Sequence, residues 1–365
     1  MVTDRGSEAG KHTLAEIRSE PEVWRECLGE LESSGELARL GAELPKNVEW
    51  VFVGCGSSFY LAQIAAAAWP VLTSARARAI PASEILIFPE TFPRDSQAVV
   101  ISRSGRTSEV IDAARYFEKT LGLRTLGITC GTATPLERET SHTIRLAAAD
   151  EKSTVMTRSF TSMLLALEAL AAERGAKKEF RDSLREMPGQ VSVPRLESTA
   201  KTVASSQLFA DYVFLGQGPF FGVAQESMLK VKEMSCSYAQ AFHTLEFRHG
   251  PKAIVSPETL VTFFLSDSGF AAEAAVLEEI KDLGGTTLVI ANHANALVEK
   301  CSDFLVELSL NAPEAARAAA AVIPGQLLGF YTGVGKGFNP DQPRNLTRVV
   351  MLDALDGEGP KRDGS

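Results

Sequence analysis

Two short turns and one helix hold the residue types best suited to chemistry. Gly54-Cys-Gly56-Ser57-Ser58 follows an apolar run and precedes an apolar helical stretch, Tyr60–Trp69. Small residues let backbone N–H groups approach an anion, and the start of a helix adds a partial positive charge. A second turn, Ser102-Arg103-Ser104-Gly-Arg-Thr107, offers three hydroxyls and an arginine where the next helix begins. Hydroxyls and amides without a Walker lysine suit a phosphate monoester better than a triphosphate. The missing GxGxxG pattern argues against a dinucleotide. Either turn alone is also an ordinary helix cap; the pair in one α/β unit is what points to phosphate.

Glu226, Lys230 and Glu233 recur at i, i+4 and i+7 and so share one helix face. That spacing also fits a surface ion-pair ladder. A carboxylate can also serve as a general acid or base. His249 stands in the turn Arg248-His-Gly-Pro251, where an imidazole can exchange protons near neutrality. His12, His142, His243 and His293 lack a comparable setting.

These residues need elements to hold them. Trp50–Val53, Ala98–Ser102, Thr125–Thr129 and Thr143–Leu146 read as short buried strands, separated by stretches of helical period such as Thr107–Leu121. This alternation predicts a parallel sheet covered on both faces. The pattern then repeats. Val51–Gly54 is answered by Val213–Gly216, Val99–Gly105 by Thr262–Gly269, and Leu126–Thr129 by Leu288–Ala291. From Gly54 to Gly216, Gly105 to Gly269 and Thr129 to Ala291 the offsets are 162, 164 and 162 residues, which predicts a duplicated domain. In the second copy Gly216-Gln-Gly218-Pro replaces the serine turn, so that half is expected to have lost the phosphate role. Glu173–Thr202 is charged and lacks a strand candidate. The expected organisation is a helical segment over 1–30, a first, phosphate-binding domain over 31–175, a helical linker over 176–200, a second domain over 201–340 and a tail over 341–365. Residues 1–9 and the stretch after Leu355 are expected to be disordered.

Composition narrows the function class. The chain has 365 residues, 45% apolar and 23% charged, with a formal charge of -9. An acidic balance disfavours nucleic acid or an anionic membrane as the partner. No uninterrupted apolar run reaches the ~18–20 residues of a membrane span, and the polar amino terminus lacks the apolar core of a secretion signal. Five scattered cysteines without a CxxC pair suit a reduced, cytoplasmic setting better than a disulfide framework or structural zinc.

The same stretches carry a family likeness. The chain resembles the isomerase half of glucosamine-6-phosphate synthase and the stand-alone aminosugar-phosphate deaminases built from the same pair of SIS domains. The matching segments are Ala15–Pro21, Gly54–Ser58, Ser102–Thr107, Glu151–Thr161, Ala224–Ser235, Glu246–Pro251 and Asp341–Val350. The resemblance implies two tandem doubly wound, flavodoxin-like α/β domains. It implies phosphate ligands at Ser57, Ser102, Ser104 and Thr107, in turns that include Gly56 and Ser58. Arg103 stands where the synthases carry glutamine, and Thr154 falls at a sugar-contacting position. Glu151 and Glu226 belong to the same implied substrate-binding set. Glu233 takes the place of the base that moves a proton between C1 and C2, Lys230 sits near O1, and His249 opens the ring. In relatives this histidine serves the partner subunit's site, which implies a homodimer.

One position departs from the synthases. Their carboxyl-terminal lysine forms a Schiff base, whereas Asn345-Leu-Thr-Arg348 places an arginine there. A guanidinium stays protonated and forms imines poorly, but Arg348 can hold an oxyanion. No nucleophilic cysteine follows Met1, so glutamine is not the expected nitrogen source. The expected reaction is conversion of glucosamine 6-phosphate to fructose 6-phosphate and ammonia, with no metal or cofactor. A fructosamine-phosphate deglycase, a plain aldose–ketose isomerase and a non-catalytic sugar-phosphate sensor are the alternatives.

Overall fold

The computed structural model describes residues 9–46 and 48–351. Most of the stretches expected to be disordered therefore lie outside the described residues. Three helices open the chain: α1 (Lys11–Arg18), α2 (Glu20–Ser33) and α3 (Glu36–Glu43). The first sheet follows, with β1 (Glu49–Gly54), α4 (Ser57–Thr73), β2 (Ala77–Pro81), α5 (Ala82–Ile87), β3 (Ser96–Ile101), α6 (Ser108–Arg115), β4 (Leu126–Thr129), α7 (Pro135–Glu139) and β5 (His142–Arg145). Its order is β2-β1-β3-β4-β5, every pair parallel.

Helices α8 (Arg158–Arg174), α9 (Lys178–Glu186) and α10 (Val193–Ser206) lead into the second half. There come β6 (Asp211–Gly216), α11 (Pro219–Ser235), β7 (Ala239–His243), β8 (Thr259–Phe264), α12 (Phe270–Asp282), β9 (Thr286–Ala291), α13 (Ala296–Cys301), β10 (Phe304–Glu307) and α14 (Ala318–Gly335). The order β7-β6-β8-β9-β10 is again all parallel and repeats the first sheet strand for strand. The two doubly wound α/β domains expected from the sequence are present. The central strands β3 and β8 are buried at every residue, as sheets covered on both faces require.

Helix α14 is apolar along its whole length. Ala315–Gly335 has the length and composition of a membrane span, but 83% of its most apolar window is buried inside the protein. It packs against α10 and α11 as a core helix. The carboxyl-terminal segment returns to the amino terminus, where the Thr13 N–H and hydroxyl donate to Asp341 Oδ1 at 2.8 and 2.7 Å.

Candidate active site

Both halves make the same turn after their first strand. Gly56 has φ 55° and ψ −126°, and Gly218 has φ 53° and ψ −128°, a backbone that essentially only glycine adopts. In the first copy this turn delivers Ser57 and Ser58 to the start of α4. In the second it delivers Pro219 and Phe220 to the start of α11. The duplication thus preserves the backbone device and replaces its hydroxyls.

A cleft of about 190 Å³ opens where β1 and β3 end. Of the residues singled out from sequence, it gathers Gly56, Ser57, Ser58, Arg103, Ser104, Thr107, Thr154, Glu233 and Arg348. The sequence reading missed Cys55, Glu109, Met156, Thr347 and Val350, which complete the lining. Each lies beside a recognised motif, so adjacency was the available signal. Burial, reinforced by Glu109, pushes the Cys55 thiol up to about 12, so it is not a thiolate nucleophile at neutral pH. A larger surface hollow of about 680 Å³ is lined by Glu179, Asp182, Glu186 and His293. It lacks both hydroxyl turns, so chemistry rather than volume selects the smaller cleft.

Helix α11 presents Glu233 to the cleft from the second domain. Behind it, Lys230 Nζ is 2.5 Å from Glu233 Oε2 and 3.2 Å from Glu226 Oε1, with Lys230 and Glu226 fully buried. Ser57 Oγ donates to Glu226 Oε1 at 3.0 Å, and Lys230 donates to Ser57 Oγ at 3.3 Å. These contacts exclude the surface-ladder alternative. Burial pushes the Glu226 carboxyl up to about 8, with Lys230 opposing it. Burial also works against the Lys230 charge, but Glu226 and Glu233 outweigh it and hold its pKa above the ordinary lysine value. The two neighbouring glutamates thus favour the charged form of Lys230 behind Glu233.

Several expected contacts differ. Glu151 does not line the cleft; it is buried and accepts from the Thr157 and Ser159 N–H groups at 2.7 and 3.2 Å, capping α8. The Arg103 guanidinium is buried and points into the protein. It donates to the carbonyls of Thr154 at 3.0 Å, Val155 at 3.3 Å and Arg348 at 2.9 Å. It braces the cleft wall, leaving its main chain within the Ser102–Thr107 turn. The Ser102 hydroxyl is buried and 3.1 Å from that of Thr107, positioning Thr107 from behind. Glu226 and Lys230 form the layer beneath the lining. His249 is exposed in the loop after β7 and does not line this chain's cleft. Arg348 lines it, with Nη2 2.7 Å from Asp150 Oδ1. Among the described residues, no group of three His, Cys, Asp or Glu side chains is arranged to hold a metal ion.

Known proteins resemble this chain in sequence and in fold. The glutamine–fructose-6-phosphate aminotransferase [isomerizing] of Pseudomonas syringae pv. tomato is 30% identical over 363 residues, covering 93% of this chain and 58% of that protein. Its counterpart from Pyrobaculum aerophilum is 28% identical, covering 93% and 57%. The chain thus spans somewhat more than half the length of these curated relatives. A crystal structure of glucosamine-6-phosphate deaminase from Thermotoga maritima superposes with a TM-score of 0.77 at 29% identity, covering 93% of this chain and 99% of that one. The tagatose-6-phosphate ketose/aldose isomerase of Escherichia coli, at 23% identity and a TM-score of 0.80, shares the fold. With SIS domain matches over residues 45–173 and 211–330, the chain belongs to the SIS domain family.

Proposed function

We propose that the protein is an aminosugar-phosphate isomerase that releases nitrogen, converting glucosamine 6-phosphate and water to fructose 6-phosphate and ammonia. One observation carries this reading: Glu233, backed by Lys230 at 2.5 Å, lines the same cleft as Ser104 and Thr107. The phosphate binds at the hydroxyl turns, which directs C1 and C2 toward Glu233. Glu233 takes the C2 proton of the open-chain aldose, and the C2–H electron pair becomes the C1–C2 double bond as O1 gains charge. Arg348 holds that oxyanion, and Lys230 acts through Glu233, because its ammonium lies behind the carboxylate. O1 is protonated, Glu233 returns its proton to C1, and the nitrogen lone pair forms a C2 iminium. Water adds at C2 and ammonia leaves. The likeness to the deaminase from Thermotoga maritima, at 29% identity, supports a nitrogen-releasing reaction. Arginine at position 348 favours it over the synthase reaction. The exposed His249 serves ring opening in the cleft of a second copy, in a cytoplasmic homodimer.

The test is to incubate the purified protein with hexosamine 6-phosphates and assay ammonia and ketose together. Equimolar ammonia and fructose 6-phosphate from glucosamine 6-phosphate is the expected result. Ketose formed from aldose phosphates without ammonia would establish plain isomerisation, and binding without turnover would establish a sensor.

A further inference from the structure

The second copy of the Ser-x-Ser-Gly turn is already occupied. At the 164-residue offset, Ser102, Ser104, Gly105 and Glu109 correspond to Ser266, Ser268, Gly269 and Glu273. In the second domain the Ser268 N–H donates to Glu314 Oε1 at 3.2 Å, and its hydroxyl donates to Glu314 Oε2 at 2.6 Å. One carboxylate thus takes both a backbone amide and a hydroxyl of the duplicated turn, at the start of the thirteen-residue helix α12. The adjacent Arg317 pairs with Asp267 of the same turn, so the chain just before α14 clasps it through two residues. Glu273, fully buried, accepts from the Ser266 N–H at 3.4 Å and from the Thr244 hydroxyl at 3.4 Å. In the first copy no described carboxylate accepts from Ser104, whose Oγ instead accepts from the Arg106 N–H at 3.1 Å.

We propose that the Glu314 carboxylate is the resident anion of a second oxyanion seat, one that the duplication created and the chain now fills itself. The cleft above it, about 500 Å³, is walled by Val71, Leu72, Phe180 and Leu245 and has no lysine or arginine in its lining. A phosphate monoester entering there meets a seat already holding a charge of its own sign, so the chain binds one phosphosugar rather than two. This differs from simple loss of the serines at Ser57 and Ser58, because Ser266 and Ser268 are retained and still donate to carboxylates. The comparison rests on reading the first-copy turn as a phosphate seat, but the occupancy of the second does not.

The experiment is chemical rescue. Glu314→Ala is made in the Ser104→Ala/Thr107→Ala background, which disables the first seat, and melting is followed with added formate or inorganic phosphate. Chloride at matched ionic strength is the control. The vacated seat should give an anion-dependent rise in Tm that the background protein with Glu314 intact lacks. If Glu314→Ala does not fold, Glu314→Ser carries the same test. Equal responses with and without Glu314 would overturn the proposal. In the otherwise wild-type chain, calorimetry with glucosamine 6-phosphate separates the two readings. One site per chain supports them both, and two sites overturn the resident-anion inference. No site, together with rescue at position 314, overturns only the reading of the first turn.

Discussion

Lys230 Nζ lies 3.3 Å from Ser57 Oγ, although the two residues belong to different halves of the duplicated chain. The contact joins helix α11 of the second domain to the glycine turn of the first. The reading of the site therefore depends on the two halves packing as one body, with α11 against α4. Lys230 is also the fully buried cation between Glu226 and Glu233. Removing one partner of such a cluster leaves uncompensated buried charge. Lys230→Met is expected to destabilise the protein by about 3–5 kcal/mol at neutral pH and to abolish turnover. Urea denaturation measures the first effect, and adding Glu233→Gln, which removes the carboxylate left without its cation, should recover part of the stability. A loss below about 1 kcal/mol would show that the lysine is not holding charge there.

Helix α14 sets the position of α11 by close approach. A Cβ placed on Gly329 falls 2.7 Å from the Lys230 carbonyl oxygen, and one on Gly333 falls 2.2 Å from that of Met234. Backbone on both sides leaves no flexible atom to yield. Gly329→Ala should cost about 1–3 kcal/mol and lower kcat more than it raises KM, because Glu233 shifts while the hydroxyl turns stay in place. Gly335→Ala, with nothing within 4 Å, is the control and should be neutral or slightly stabilising.

The central strands were legible because they are continuous apolar runs, and the offset near 162 exposed the second domain. The missed strands β2, β7 and β10 are all sheet edges. Their half-exposed residues, such as Arg78 in β2, break the apolar run. Among the residues of the cleft, Ser104 and Thr107 were legible from type and spacing, whereas Glu233 was singled out over a surface ladder only by the family resemblance. The cap made by Glu151 and the inward turn of Arg103 were not legible. Both depend on which buried amides and carbonyls lack partners, and only the packed chain defines that. Glu314 went unnoticed because its significance comes from Ser268, far away in sequence.

His249 is exposed in the single chain, so its proposed role needs a second copy. Glu233→Gln and His249→Asn subunits should each be inactive, and mixing them should form heterodimers with one intact composite site. Recovery of about a quarter to a half of wild-type activity is expected for random pairing of symmetric subunits. Subunit exchange shown by native mass spectrometry without recovered activity would place both residues in one chain's site, or outside it.

Glu168 lies buried in α8, and among the described residues neither carboxylate oxygen has a hydrogen-bond partner. Burial raises its pKa well above the ordinary value, so the folded protein binds a proton that the unfolded chain releases. Its contribution is fully present below the unfolded pKa of 4.5 and is lost as pH rises toward the folded value. Glu168→Gln should therefore flatten the decline in stability as pH rises above about 5. Parallel stability–pH curves for the two proteins would refute the assignment.

Arg348 stands where the resemblance expects the synthases' lysine, and its ion pair with Asp150 at 2.7 Å is solvent-exposed. Such a pair stabilises little, so the residue is free to act on substrate. With no Schiff base at this position, borohydride reduction in the presence of fructose 6-phosphate should trap no adduct on residue 348. Arg348→Ala should lower kcat and kcat/KM together and leave phosphosugar affinity nearly unchanged, as for a group acting mainly on the transition state. Arg348→Lys replaces a fork of donors by a point charge and should also lose activity. An adduct trapped on Lys230 would move imine chemistry to that lysine. A large gain from Arg348→Lys would instead mean that the arginine had silenced a synthase-like site, and the sugar-phosphate sensor would become the better account.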